Sequence, residues 1–207
     1  MIKAPENRQN ADSALVASRA DIDALASMLG RAFQNDALTR WITPDPVRRA
    51  EILPDFFRIF LDVSMEYDAV YTNPGLDAAL LYLPPGGWQE VDARGVELSQ
   101  RFAGILGDEV EMMAIISGLQ AVHHPHTVSH YYVSFAGVDP ENQRHGAMSA
   151  LIDALMARAD ADGMPAYTEA SSAGGTFAAL RTGFVEIGVK IEIPNGPTLR
   201  PMWREPR

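Results

Sequence analysis

Residues 133–163 read VSFAGVDPENQRHGAMSALIDALMARADADG, passing from an apolar run through a polar loop into a segment with helical periodicity. This order predicts a strand, a loop and an amphipathic helix from about Gly146 to Ala161. Gly163 stands just past the helix end, where a left-handed backbone is cheap only for glycine. The stretch therefore predicts a strand-loop-helix unit whose helix has two defined ends.

The loop of this unit has the features of an anion site. Backbone N–H groups at a helix start lack partners, and the helix dipole is positive there. Gly146 removes a Cβ where a phosphate would approach the backbone, and Arg144 and His145 add positive charge. The same glycine also suits a tight strand-to-helix turn without any ligand, so spacing alone leaves both interpretations open.

The rest of the second half predicts the topology of a sheet. Strands are expected at Tyr131–Val138 and Ala166–Ala170, and the helix between them makes these two strands parallel neighbours. A short helix near Phe177–Arg181 and further strands follow. Upstream, residues 68–71 and 78–83 predict an antiparallel hairpin around Asn73-Pro74-Gly75. We therefore expect an α/β (α+β) fold with a mixed, mostly antiparallel sheet.

The first half also contains helices. Apolar spacing predicts one from Ile22 to Phe33 with Asp21 as its N-cap. Asp45-Pro46 opens a second helix that runs to about Met65, which Pro54 should kink or divide. Between residues 89 and 119 we expect two short helices separated at Gly107.

Composition limits the class of protein. The length of 207 residues fits a single domain, here residues 13–207 after a loose tail at residues 1–12. The formal net charge of −10 argues against nucleic acid as a partner. The chain has no cysteine, no apolar run long enough for a bilayer and a polar start, so we expect no membrane association and a cytoplasmic location.

The residues of the strand-loop-helix unit resemble the GNAT N-acetyltransferase superfamily. The matching motif is Gly137-Val138-Asp139-Pro140 followed by Gln143-x-x-Gly146. The resemblance continues in Pro165-Ala166-Tyr167, Glu169, Arg181, Gly183-Phe184, Gly196-Pro197 and Met202-Trp203-Arg204. Within the superfamily the chain looks closest to actinobacterial small-molecule acetyltransferases such as puromycin N-acetyltransferase, a likeness that includes Leu83-Pro84-Pro85-Gly86.

This resemblance implies a function and a cleft. The implied enzyme is an acyltransferase that uses acetyl-CoA or another acyl-CoA as co-substrate and passes the acyl group to a small-molecule amine or hydroxyl compound. The parallel strands would splay at the coenzyme cleft, with helices on both faces of the sheet and Gly137 marking a bulge. The implied coenzyme-binding residues are Ala136, Gly137, Val138, Gln143, Arg144, His145, Gly146, Ala147, Met148 and Ser149.

Two positions depart from the family pattern. Met148 replaces the small last residue of the loop, so a long side chain is expected to narrow the phosphate site. Ala179 stands where the family has its general-acid tyrosine. These departures motivate an alternative, a catalytically degenerate acyl-CoA-binding or interaction module with the same fold.

An amine must lose a proton before it attacks a thioester, so a base is required. The candidate catalytic residues are Glu169 and His130 as bases and Ser171 as a substitute proton donor, beside Tyr167 and Ser172. Each has a structural alternative, because a strand carboxylate is commonly salt-bridged and a histidine can simply mark a strand entrance.

Three further expectations concern partners. His123-His124-Pro125-His126 has no distant ligand fixed by spacing, so no metal site is expected. Trp88, Met112 and Met113 would suit an apolar acceptor, although helical spacing fits core packing equally. The oligomeric state is left as monomer or homodimer.

Overall fold

The computed structural model describes residues 14–207, so the expected loose tail at residues 1–12 lies outside the described residues. The described helices are α1 Ile22–Phe33, α2 Ala37–Ile42, α3 Pro46–Met65, α4 Gly87–Ala93, α5 Gly95–Leu106, α6 Val110–His123, α7 Ala147–Ala161 and α8 Ala173–Arg181. The strands are β1 Leu15–Val16, β2 Val70–Thr72, β3 Ala78–Leu83, β4 Tyr131–Val138, β5 Ala166–Ala170, β6 Val185–Glu186, β7 Ile191–Glu192 and β8 Thr198–Arg204.

The strands form one mixed sheet in the order β1-β2-β3-β4-β5-β8-β6, and β7 pairs with β8. All these pairings are antiparallel except that of β4 with β5, which is parallel. The parallel pair is joined by α7, as the crossover rule predicts. The expected mixed, mostly antiparallel sheet is therefore confirmed.

Helices cover both faces of this sheet, and β3 lies between two cores. All six residues of β3 are buried. Leu81 belongs to the core shared with α1 and α3, whereas Leu80 and Tyr82 belong to the core under α7. Because side chains alternate across a strand, full burial of β3 requires a helix layer on each side.

The entry of α3 follows its sequence signal. The Asp45 carboxylate accepts hydrogen bonds of 2.8 Å from the N–H groups of Val47 and Arg48. Pro54 does not divide the helix, which is continuous from Pro46 to Met65. Gly30 of α1 packs against the ring of Pro54, where a Cβ would come within 3.2 Å.

Two details of the helices differ from the expectation. The Asp21 carboxylate does not cap α1; it accepts hydrogen bonds from the N–H and hydroxyl of Ser18, one turn earlier. Residues 87–123 form three helices rather than two. The break at Gly107 is present, with φ +60°, and a second break occurs at Arg94, whose guanidinium is held by Glu66 and Glu97.

The bulge in β4 lies at Ser134 and not at Gly137, which corrects the expectation. Leu81 pairs with Phe135 and Tyr82 pairs with Val133, so Ser134 is the extra residue. The Ser134 hydroxyl donates a 3.2 Å hydrogen bond to the Leu81 carbonyl. Gly137 stays in register because α1 packs on it.

Substitution of Gly137 tests this packing. A Cβ there would lie 2.8 Å from Leu29 and 2.9 Å from Phe33. We expect Gly137→Ala to lower the free energy of unfolding by about 1–3 kcal/mol, measured by urea denaturation. The control Gly118→Ala, on an exposed part of α6 with no atom near the added methyl, should be neutral or stabilising by about 1 kcal/mol. Equal free energies of unfolding for Gly137→Ala and the unmodified chain would contradict the close packing of α1 on Gly137.

Candidate functional site

The parallel strands β4 and β5 pair over only three residues each. The pairs are Tyr131–Val133 with Ala166–Thr168, and the Thr168 hydroxyl donates to the Val133 carbonyl at 3.0 Å where they part. Beyond this point β4 continues along β3, while β5 continues along β8. The edge of β4 after Val133 that faces β5 therefore has no strand partner, and a wedge opens between the two strands.

A cavity of about 860 Å³ extends from this wedge. Its walls come from the loop before α7, from β4 and β5 at the wedge, and from helices α3, α5 and α6. All the predicted coenzyme-binding residues except Gly137 line it. Gly137 packs closely against Leu29 and Phe33 of α1 and supports the site through this packing.

In the described part of the chain, the loop before α7 leaves several backbone donors without a hydrogen-bond partner at the edge of the cavity. Arg144 and Gly146 have φ of +70° and +91°, and a Cβ on Gly146 would meet no atom within 4 Å. Among the described residues, no hydrogen bond uses the backbone N–H groups of residues 143–149. These donors border the cavity at the positive end of a helix of 15 residues, so the donor set fits a phosphate group.

Met148 is half-buried and packs against the core under α7 while it also lines the cavity. Its effect on phosphate binding stays a prediction.

Asp139 anchors the loop, a role that the sequence reasoning missed. Its carboxylate accepts hydrogen bonds of 2.5 and 3.0 Å from Arg31 on α1 and one of 3.1 Å from the N–H of Glu141. The hydrogen bond from the Arg31 guanidinium holds the pKa of Asp139 below its ordinary value. The aspartate before Pro140 was a local signal for such a turn, but the arginine partner is 108 residues away.

Glu169 lies in the cavity wall where β5 leaves β4. Its carboxylate accepts hydrogen bonds from Gln120 at 2.6 Å, from the Tyr167 hydroxyl at 2.9 Å and from the Tyr132 hydroxyl at 3.1 Å. Loss of hydration raises its pKa, although these three donors pull the other way. A carboxylate with a raised pKa and only neutral partners is suited to accept a proton near neutral pH.

The cluster around Glu169 could not be read from the sequence. Tyr131 and Tyr132 are adjacent in β4 and therefore point to opposite faces of the sheet, and Tyr132 is the one that lines the cavity. Tyr131 lies on the other face, where its hydroxyl donates to Asp162. Gln120 on α6 carried no local signal at all.

His130 does not line the cavity. It is buried between the rings of His124, Tyr167 and Trp203. Its Nδ1 lies 2.6 Å from the Val128 carbonyl, which can only accept, so Nδ1 carries the proton of the neutral ring. Nε2 of His130 then accepts from Nε2 of His124 at 3.0 Å. Because both of its nitrogens are hydrogen-bonded within this buried cluster, His130 is not the base that we propose.

The remaining candidates separate by position. Ser171 lines the cavity, and its hydroxyl donates to Asp36 at 3.3 Å. Ser172 also lines it, but its oxygen caps α8 by accepting from the N–H of Gly175. The Tyr167 side chain is fully buried, and Ala179 borders the cavity without a polar group.

No group of three or more histidine or acidic side chains suited to a metal ion occurs within residues 14–207. In the same range no helix combines the length and the apolar character that spanning a bilayer requires.

Comparison with solved structures identifies the fold. A Corynebacterium glutamicum protein described as a histone acetyltransferase HPA2 and related acetyltransferase superposes with a TM-score of 0.70 at 22% identity, over 94% of this chain and 96% of that one. Arylalkylamine N-acetyltransferase 2 from Aedes aegypti gives 0.64 at 13% identity, over 94% and 98%. A polyamine N-acetyltransferase from Drosophila melanogaster gives 0.59 at 14%, over 93% and 98%. No protein-family model matches the sequence.

The buried histidine pair makes stability depend on pH. Burial lowers the pKa of His124 to about 3, and burial also lowers that of His130. The unfolded chain takes up protons near pH 6.5, so the folded state loses stability as the pH falls below that value. From His124 we expect a loss of about 2 kcal/mol in unfolding free energy between pH 7.5 and pH 5.

Urea denaturation across this pH range checks the expectation. His124→Gln keeps a donor for His130 and should flatten the pH dependence, whereas the control His126→Gln, at an exposed position, should not. An unchanged pH dependence in His124→Gln would show that the His124 ring is not buried neutral in the folded state.

Proposed function

We propose that this chain, whose fold is that of the GNAT-type acetyltransferases, transfers an acetyl or other acyl group from an acyl-CoA to a small-molecule amine. The observation that carries the proposal is the wedge between β4 and β5, with free backbone donors at one end of its cavity and the Glu169 carboxylate in its wall. The acyl-CoA is anionic and the amine is cationic before it reacts, so the end of the cavity with the backbone donors suits the coenzyme and the end with Glu169 suits the amine.

The coenzyme's diphosphate would be held by the backbone N–H groups of residues 143–149, with Arg144 and His145 adding positive charge. Its pantetheine arm would pair with the unpartnered edge of β4 from Ser134 to Val138. The coenzyme supplies an acyl group activated as a thioester. The wedge beside Glu169 is where the acyl carbon would lie.

The chain's own residues supply the proton transfers. Glu169 accepts the proton of the ammonium group, which leaves the nitrogen lone pair free to attack the acyl carbon. Backbone N–H groups on the open edge of β4 polarise the carbonyl oxygen. As the C–S bond breaks, the attacking nitrogen loses its second proton, and the Ser171 hydroxyl is the candidate relay that takes up this proton while giving its own to the departing sulfur. The sulfur needs little help because thiols have a pKa of about 8.5.

Ala179 supports a second candidate, a binding module without catalysis. It borders the cavity where a tyrosine was expected, and one positioned proton donor is worth roughly 10²–10⁴-fold in rate. Titration with acetyl-CoA followed by a free-thiol assay over a panel of amines separates the candidates. Binding with thiol release supports the enzyme, binding without release supports the module, and failure to bind contradicts both.

The phosphate site is tested by Gly146→Glu. We expect loss of acetyl-CoA binding in calorimetry, because a carboxylate would stand among the donors for the diphosphate. Gly188→Glu is the matched control, since Gly188 also has positive φ and open space around it but does not line the cavity. The control should bind like the unmodified chain. Equal affinity of both variants would remove the loop from the proposal.

The base is tested by Glu169→Gln. Burial raises the pKa of Glu169, so kcat/KM should fall as the pH drops, and this fall should occur at a higher pH than the titration of an ordinary carboxylate. The substitution should remove this fall and lower kcat by roughly 10²–10⁴-fold, with acetyl-CoA affinity unchanged. Glu192→Gln, exposed on β7, should change neither. If kcat/KM of Glu169→Gln still falls with decreasing pH as it does in the unmodified chain, another group is the base.

A further inference from the structure

The part of the cavity beyond the wedge is an apolar chamber, which we call the acceptor chamber. It is lined by side chains of α3, α5 and α6: Phe56, Phe60, Leu98, Phe102, Met113 and Ile116. The rings of Phe60 and Phe102 pack with centroids 5.1 Å apart, and Phe60 also packs on Phe135 of β4 at 4.6 Å. The walls of the chamber are thus aromatic and aliphatic groups that continue back to the wedge.

Charge is distributed unevenly along the cavity. Among the described residues that line it, the basic ones are Arg144 and His145, both in the loop before α7. Glu169 has only neutral hydrogen-bond donors as partners. On the chamber side the described lining residues include no arginine or lysine to pair with the Glu169 carboxylate, which favours a cationic ligand group.

Helix α6 sets the length of the chamber. Gln120 donates to Glu169 at 2.6 Å, and Met113 lies seven residues earlier on the same cavity wall. At about 1.5 Å per residue these positions are about 10 Å apart. An extended alkyl chain of about eight carbons spans the same distance.

We infer that the acceptor is a primary amine with an apolar body about 10 Å long, alkyl or arylalkyl, whose ammonium group meets Glu169 and whose body fills the chamber. This inference rests on the proposed function and narrows its substrate class. A second charge at the far end of the acceptor would lose its hydration among phenylalanine and methionine side chains, which disfavours diamines and amino acids.

A chain-length series tests the inference. Straight-chain primary amines of three to nine carbons and the matching terminal diamines are assayed by thiol release from acetyl-CoA. We expect kcat/KM for the monoamines to rise roughly 3–4-fold per methylene up to about eight carbons, and each long diamine to be at least about 10-fold poorer than its monoamine. Transfer to no amine at all overturns the proposed function and this inference together. If kcat/KM does not rise with the length of the monoamine, the inference alone is overturned. The same holds if the best substrate is a diamine, whose second ammonium group could reach exposed Asp92 at the cavity edge.

A pair of variants on α6 locates the chamber. Met113→Asp places a charge where the end of the alkyl chain would lie, so the eight-carbon amine should lose at least about 10-fold in kcat/KM while the three-carbon amine changes little. Val122→Asp adds the same charge on the same helix, at a side chain that is 77% exposed and outside the cavity. It should leave the series unchanged. If kcat/KM depends on amine length in the same way in both variants, the acceptor does not occupy the chamber.

Discussion

The parallel strands β4 and β5 hydrogen-bond over three residue pairs and then follow different partners, β3 on one side and β8 on the other. The cavity, the free edge of β4 and the placement of Glu169 all depend on this parting. On the outer sides β5 pairs with β8 along its whole length and β4 pairs with β3 except at the Ser134 bulge, so the groups that the wedge leaves unpaired lie on its inner edges. A sheet can tolerate such a gap where a ligand with its own amide groups can complete the ladder.

Packing on both faces of the sheet holds the wedge open. On one face α1 rests on Gly137 so closely that no side chain fits there, which keeps β4 in register with β3. On the other face α7 buries Leu151 and Leu155 in the second core. The same helix presents its N-terminus to the cavity, and the ion pair of Asp139 with Arg31 fixes the loop before it. The segment from Asp139 to the start of α7 is therefore anchored at its first end by an ion pair and presents backbone donors to the cavity at its other end.

The cavity separates charge along its length. Unpaired N–H groups and two basic side chains stand at the loop, and Glu169 stands in the wedge with hydroxyl and amide partners alone. Behind Glu169, the rings of His124, Tyr167 and His130 form a buried layer that supports the wall. Burial raises the pKa values of Tyr132 and Tyr167, so both hydroxyls remain donors to the carboxylate.

The features with local causes could be predicted from the sequence. The strand-loop-helix unit, the Asp45 cap of α3, the hairpin and the parallel pair follow from periodicity, turn chemistry and crossover handedness, which act within a few residues or along one connection. Tertiary structure alone decided where the bulge lies, that His130 faces away from the cavity and that Gln120 and Tyr132 meet at Glu169. Those outcomes depend on which side chains are brought together from positions 12 to 49 residues apart, as in the bonds of Gln120 with Tyr132 and Glu169. Such contacts form only when the helices pack on the sheet, and no periodicity along the chain records them.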